Sequence, residues 1–389
     1  MQSNYDVIII GGGAAGLYAA LCLDERIKTA ILEKQPKAGR KLLSTGNGRC
    51  NFGNINISHG CYHGSIFRAE DIVRAHNGED FAAKLGILPY TDSEGRLYPY
   101  SRTAASVCDT LLAMVNNKKN TDIYTDFPVR EINFRKGEWL VTGAENRIFA
   151  AKKLIFAAGG KAAPKLGTDG SALAMLEKLG IRISPPSPAL CPFLVKERIN
   201  SLKGVRADAR ISLKLGDRLI YSEHGEVQFG DNYISGICVM NASCYVKKEA
   251  GLYSLSLDLF PDMSLSKLTE IINRMSERKL PEEEKYSTLI NKKILSYLKV
   301  SSDPRKLAFR LKNMDFKIKS LGSFDKAQTT AGGVCGSELD SFLEVKKHKN
   351  LFIIGEGCDV HGNCGGYNLM WAWASAFRAA KKIDPEYRR

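Results

Sequence analysis

The sequence predicts an α/β protein: a parallel-sheet domain built from both ends of the chain, carrying an inserted antiparallel barrel or sandwich and a small helical subdomain. Three observations predict it. The chain opens on YDVIIIGGGAAGLYAALCL, where an apolar run from Asp6 to Ile10 passes into glycines and then into helical spacing at Leu17, Ala20 and Leu21. The strand-then-glycine arrangement returns in KLIFAAGG and, near the end, in LFIIGEGC. After Leu190, short alternating segments replace it. The boundaries read from these changes are 1–188 with 326–389 for the α/β domain, 189–262 for the barrel and 263–325 for the helical piece.

The opening turn has the order that a dinucleotide needs. Gly11 lets the chain turn tightly, Gly13 lets backbone N–H groups approach a pyrophosphate, and Gly16 lets the helix pack closely. Ala14 and Ala15 then begin a helix whose N-terminus favours an anion. A second apolar run, Thr29 to Leu32, ends on Glu33, placed to accept hydrogen bonds from ribose hydroxyls. Three glycines at this spacing are weak evidence alone. Strand, turn, helix, strand and acid in this order are strong evidence.

The segment KQPKAGRKLLSTGNGRCN follows, with Gly39, Gly46 and Gly48 freeing backbone N–H groups beside Arg40, Lys41 and Arg49. It reads equally well as a second phosphate-handling loop or a basic surface loop. From Phe67 to Lys118 three stretches are helical, separated by TDSEGRLYPYSR, which is read as a loop carrying Tyr98, Tyr100, Ser101 and Arg102. Thr121 to Ala150 alternates like an antiparallel meander leading to the strand Leu154–Ala158 and to Gly159 and Gly160. Prolines at 185, 186, 188 and 192 mark a hinge-like entry to the barrel strands, among which ICVMNASCYV is counted. Ser264 to about Lys319 is read as helical and basic. At the end come the strand Leu351–Ile354, a loop with Glu356 and Asp359, and a helix beginning near Gly365 whose first residues, Gly366, Tyr367 and Asn368, are expected to point at the opening turn's ligand.

Composition narrows the class. Apolar content of 44% and charged content of 25% are those of an ordinary globular protein. No apolar run reaches the length of a membrane span, and a strand begins within five residues, so a cytoplasmic protein without membrane association is expected. Ten cysteines stand singly with no CxxC pair, which argues against a zinc ribbon or a dithiol redox centre; no metal site is expected. A net charge of +14 would draw the chain to anions, but the excess is dispersed, and a solvated surface is preferred to a nucleic-acid partner.

Taken jointly, GGGAAG, the EK pair at Glu33 and Lys34, GRKLLSTGNGRCN, FAAGG, TAGGV and GEGCDVHGNCGGYNLMWAW resemble the YhiN-like or BaiN-like FAD-dependent oxidoreductases, a family with an aminoacetone oxidase-like branch. The match runs nearly end to end. The resemblance implies a discontinuous Rossmann-like FAD-binding domain interrupted by a β-barrel and helices. It implies Glu33 at the adenosine ribose and Glu356 at the ribityl chain. Arg40, Asn47, Arg49 and Asn51 fall near the pyrophosphate and flavin, and Val129 beside the adenine. Lys34, Lys41, Gly48, Cys50, Ala158, Gly159, Gly160, Gly332, Gly333, Gly355, Asp359 and Leu369 complete the implied cofactor contacts. One stretch departs: relatives tend to read GELLFTHxGISGP where this chain has GEVQFGDNYISGI, with Gly230, Asp231 and Ile237 at the altered positions.

A flavin enzyme acting on a small organic metabolite follows from the resemblance, with NADH or NADPH as a transient donor because no second complete GxGxxG turn exists. Reductase and oxidase remain open. His361, Tyr367, Cys50 and Tyr98 are candidate acids or bases, each read as structural in preference, so catalysis is unassigned. The alternative is a flavin-dependent nucleic-acid-binding or RNA-modifying protein, motivated by the positive charge.

Overall fold

The computed structural model describes residues 2–247, 249–299 and 303–384, and the chain divides into two compact units, residues 1–188 with 328–389, and residues 189–327. In the first, β1 (Gln2–Ile10) lies in the middle of a seven-stranded sheet. Its Val7, Ile8, Ile9 and Ile10 are all buried, as a strand covered on both faces requires. It runs parallel to β2 (Thr29–Leu32) on one side and to the strand Ile148–Phe156 on the other. The registers pair Tyr124 with Leu32, Leu32 with Ile10, Ile10 with Phe156 and Phe156 with Ile353. Four parallel neighbours of different origin in the chain therefore end along one edge with β1.

Two sequence readings change here. Thr121–Tyr124, expected to open an antiparallel meander, is instead the parallel edge strand beside β2. NRIFAA and KLIF, read as separate pieces, form one nine-residue strand, Ile148–Phe156, paired with β1 from end to end. The antiparallel meander begins only at Glu131–Arg135 and runs through Glu138–Thr142 to Ile148–Ala151, the first half of that long strand. Local alternation shows an extended chain but not its partner, and the partner decides direction.

Helix α1 (Ala14–Cys22) is buried from Ala15 to Cys22, which its run of alanine, leucine and glycine permits. At its C-terminal end, the Lys118 ammonium donates to the carbonyls of Ala20 (2.8 Å) and Leu23, two groups that a helix end leaves unpaired. The closing helix, Tyr367–Ile383, presents Trp371, Trp373, Ala376 and Ala380 to the core; Trp373 stacks on Phe81 at 4.0 Å and donates through its indole N–H to the Phe52 carbonyl (3.1 Å). TDSEGRLYPYSR, read as a loop, is mostly a hairpin: Pro89–Thr91 pairs with Arg96–Pro99, which also pairs with Gly53–Asn54. The proline-rich stretch read as a hinge is an extended strand, Ile183–Ala189, paired with Thr329–Val334.

The second unit contains a closed barrel in the order Phe193–Val195, Tyr233–Ser235, Arg218–Phe229, Arg206–Leu215, Tyr253–Asp258 and Met314–Leu321, every neighbouring pair antiparallel. The last strand lies in the stretch expected to be helical. Its Met314, Phe316 and Ile318 are buried and Asp315, Lys317 and Lys319 exposed, a period of two that the surrounding lysines obscured. Conversely, ICVMNASCYV contains a helix, Ile237–Ser243, in place of the expected strand. Helices Leu265–Ser276 and Pro304–Lys312 share one apolar core with the barrel through Leu268, Ile272, Leu307 and Leu311.

Candidate functional site: a cleft at the carboxyl ends of the parallel strands

A cleft of about 640 Å³ opens where the parallel strands end, lined successively by Gly11 after β1, Glu33 after β2, Ala157 and Ala158 after Ile148–Phe156, and Gly355 after Leu351–Ile353. This is where open parallel sheets bind ligands, and the volume falls within the roughly 300–1,000 Å³ of such sites.

The opening turn is organised by backbone contacts. A Cβ at Gly11 would overlap the Ala157 carbonyl oxygen, and one at Gly16 would overlap the Gly11 carbonyl oxygen. Gly13 differs. No atom lies within 4 Å of the position its Cβ would take, and its backbone is extended at φ −81°, so the open side of the turn faces the cleft without strain. The Glu33 carboxylate is fixed at the rim by the N–H groups of Gly12 (2.7 Å) and Gln35 (2.8 Å).

Across the cleft, the Lys41 ammonium meets the Glu356 carboxylate at 2.6 Å. The second Glu356 oxygen accepts from the Thr330 N–H (2.9 Å) and hydroxyl (2.8 Å), and the Thr330 oxygen in turn accepts from the N–H groups of Lys161 and Ala162. Residues 315 positions apart are thereby held face to face. Arg40 also lines the cleft, its guanidinium donating to the Gln35 side chain at 2.5 Å. At the far end stand Asn368 and Leu369; the Asn368 amide brackets Gly362, accepting from its N–H (2.9 Å) and donating to its carbonyl (3.0 Å).

Of the residues singled out in the sequence, Gly11, Gly13, Ala14, Ala15, Glu33, Lys34, Arg40, Lys41, Val129, Ala158, Gly159, Gly355, Glu356, Asn368 and Leu369 line this cleft. Gly16, Asn47, Gly48, Arg49, Cys50, Asn51, Gly160, Gly332, Gly333, Asp359, Gly366 and Tyr367 do not. Several brace it. Asp359 accepts from the Ser184 hydroxyl (2.8 Å) and the Gly332 N–H (3.1 Å). Gly332, at φ +91°, abuts the backbone of Ser184 and Pro185 on the side a Cβ would take, and Gly333 that of Gly357 and Cys358, so their missing side chains admit neighbouring backbone. Gly366 caps the closing helix against Gly53, with Asn51 between them. Tyr367 turns away, its hydroxyl donating to the Asn56 carbonyl (2.8 Å).

None of the four candidate acids and bases lines the cleft. Burial pushes the Cys50 thiol up to about 12, and likewise the Tyr367 hydroxyl. Tyr98 is buried, with its hydroxyl raised for the same reason, and His361 is buried and stacks on His63 at 5.3 Å. Among the described residues no group of three His, Cys, Asp or Glu side chains could hold a metal ion.

The segment Leu166–Ala172 was missed. It lines the cleft and is tied to the other wall by the Lys34–Asp169 ion pair at 3.3 Å, while the Thr168 hydroxyl donates to the Gly160 carbonyl. The available signal was GTDG, whose Gly167 and Gly170 both take positive φ between a strand and a helix.

Fold and cleft define a dinucleotide-binding α/β protein of the Rossmann kind. The chain belongs to the family described as HI0933-like protein Rossmann domain, whose model matches residues 5–382. A 3-dehydro-bile acid delta(4,6)-reductase of Clostridium scindens is 35% identical over 405 residues, covering 96% of this chain and 97% of the relative. A ribosomal RNA dihydrouridine synthase of Escherichia coli is 27% identical over 413 residues, covering 98% of each. Among solved structures, an Escherichia coli quinol fumarate reductase superposes with a TM-score of 0.54 at 15% identity, over 100% of this chain and 71% of that one. That likeness concerns the fold. No helix among the described residues is long and apolar enough to cross a membrane.

Proposed function

We propose that the protein is an FAD-dependent oxidoreductase that reduces a carbon–carbon double bond conjugated to a carbonyl in a small organic metabolite, using NADH or NADPH as donor. The observation that carries it is the single cleft running from the Gly13 turn and Glu33 to Glu356 and Asn368. The residues present fit FAD: an open glycine turn for the pyrophosphate, a fixed carboxylate for the adenosine ribose, and Arg40 and Lys41 for phosphate charge. Glu356 would hold the ribityl hydroxyls and Val129 the adenine. Bound FAD supplies two-electron hydride chemistry, and the protein supplies orientation and charge. The relative at 35% identity, named as a reductase of a 3-dehydro substrate, supports the direction of reaction.

A second reading is favoured by the relatives named as ribosomal RNA dihydrouridine synthases, at 27% and 26% identity, together with the net charge of +14. The chemistry is close, since making dihydrouridine also reduces a double bond conjugated to a carbonyl. Higher identity favours the small-molecule reading.

Purified protein should be yellow, release FAD on denaturation, bleach anaerobically with NADH or NADPH, and regain colour on adding a conjugated enone. A colourless protein that takes up no FAD would overturn the whole reading. Recovery of colour with unmodified ribosomal RNA but with no enone would select the second.

A further inference from the structure

We infer that Arg49 and Arg102, each seated over a tyrosine of the Pro89–Pro99 hairpin, form the docking site for the phosphates of the nicotinamide dinucleotide donor; this rests on the reductase reading above. Tyr90 and Tyr98 are register partners on the antiparallel strands, so their rings share one face with Cα atoms about 4.5–5.5 Å apart. The Arg102 guanidinium lies 4.1 Å from the Tyr90 ring centroid, and that of Arg49 lies 5.1 Å from the Tyr98 centroid. A ring face orients a guanidinium by attraction to its quadrupole and leaves the N–H edges free for an oxyanion.

Both arginines are exposed, and among the described residues neither meets a carboxylate within 4.0 Å. The hairpin's own acids, Asp92 and Glu94, are taken by Arg96. Arg102 is held in left-handed backbone at φ +52°, its N–H donating to the Pro99 carbonyl (2.8 Å). That conformation costs a non-glycine residue about 1 kcal/mol or more, and it is kept where the guanidinium reaches Tyr90. Beside the pair, Tyr100 is 67% exposed, a flat amphipathic surface on which a nucleotide ring can stack. The Arg49 Nε–H donates to the Gly46 carbonyl (3.3 Å), which leaves its terminal amino groups, together with the Arg102 fork, for the two charges of a pyrophosphate.

The platform is linked along the chain to the elements that wall the cleft. Arg49 stands four residues after Thr45, where that segment leaves the cleft wall. On the other side, Asn54, paired with Arg96, donates to the Gly365 carbonyl (3.1 Å), two residues before the closing helix begins. The chain has one complete GxGxxG turn, at Gly11, so a second dinucleotide needs another place to dock.

The test is anaerobic stopped-flow bleaching of holoenzyme across NADPH and NADH concentrations, for wild type, R102Q, R49Q and R102K. The half-saturating donor concentration should rise about tenfold in R102Q and in R49Q, with partial recovery in R102K, while the bleaching rate at saturating donor stays near wild type. FAD content and bleaching by dithionite should be unchanged in R102Q. Unchanged half-saturation in both glutamine variants would overturn the assignment, as would loss of single-stranded RNA binding in R102Q with donor saturation intact. A wild-type enzyme bleached by dithionite but by neither nucleotide would instead remove the donor reading, and this site with it.

Discussion

Two glycine-rich segments, the GGGAAG turn at residues 11–16 and the TAGGV end of the strand Thr329–Val334, look alike as strings and differ in what their missing side chains admit. In the first, glycines facing inward at Gly11 and Gly16 let one turn fold on itself and on the neighbouring strand, which leaves Gly13 open to the cleft. In the second, a Cβ at Gly332 would lie 2.5 Å from the Pro185 carbonyl oxygen, so the missing side chain accommodates another segment of the protein. Glycine marks a close approach of backbone; it does not say whether ligand or protein approaches.

The largest effect should come from Gly16→Val. Its side chain would enter the space of the Gly11 carbonyl and press on Ile9, separating α1 from β1 at the centre of the core. A loss beyond about 4 kcal/mol is expected, seen as insoluble or unfolded protein. Soluble, FAD-loaded Gly16→Val would break the assignment of this turn. Gly332→Ala should be milder, about 2–4 kcal/mol, because both the φ of +91° and the contact with Pro185 oppose it. Its folded fraction should keep FAD, since Gly332 does not line the cleft. Denaturant melts of the apoprotein and the FAD-to-protein ratio together separate the two segments.

What could be read from the sequence follows the same division. The opening strand, its turn and Glu33 were legible because their chemistry is contained in the consecutive residues 6–33, which local spacing rules describe. The Lys41–Glu356 pair and the Thr330 bridge were not, for they depend on which strands are neighbours. Nor was Met314–Leu321, whose alternation follows directly on the basic helix Pro304–Lys312 and becomes a strand by closing the barrel between Tyr253–Asp258 and Phe193–Val195. Arg49 and Cys50 were placed at the cofactor by the resemblance, Arg49 also by the reading of a phosphate-handling loop; the segment leaves the cleft wall after Thr45, with Cys50 buried and Arg49 over Tyr98.

A third test probes the helix behind the first turn. Tyr18 on α1 shares a 2.7 Å hydrogen bond with the buried His76, whose ring stacks on Phe377 at 4.0 Å. Burial lowers the His76 pKa to about 4, with Lys84 also lowering it and Asp80 opposing. The unfolded chain takes the proton near pH 6.5, before the folded one does, so stability is full above about 6.5 and falls until about pH 4. The loss across that window should be about 3 kcal/mol. Urea titrations at intervals of half a pH unit measure it, and His76→Phe should flatten this part of the curve. An equal slope in that variant would assign the acid sensitivity elsewhere.

The smallest effect on folding, and the sharpest on function, belongs to Gly13→Val. The position is extended at φ −81° with no atom within 4 Å of the new Cβ, so strain is absent and a branched side chain projects into the cleft. Valine is a poorer N-cap than glycine, and it also restricts the unfolded chain; the two contributions oppose, leaving apoprotein stability within about 1 kcal/mol of wild type. Cofactor should be lost all the same, because the isopropyl group occupies the side of the turn a pyrophosphate would approach. The holoenzyme would then lack the ligand contribution RT ln(1 + [L]/Kd), about 4 kcal/mol at a thousandfold excess over Kd, and melt at the apoprotein temperature. The variant should thus be soluble and colourless, with added FAD failing to raise its Tm. A yellow Gly13→Val protein that melts with wild-type holoenzyme would mean that the open face of this turn is not where the pyrophosphate lies, and the contrast between the two glycine-rich segments would lose its functional half.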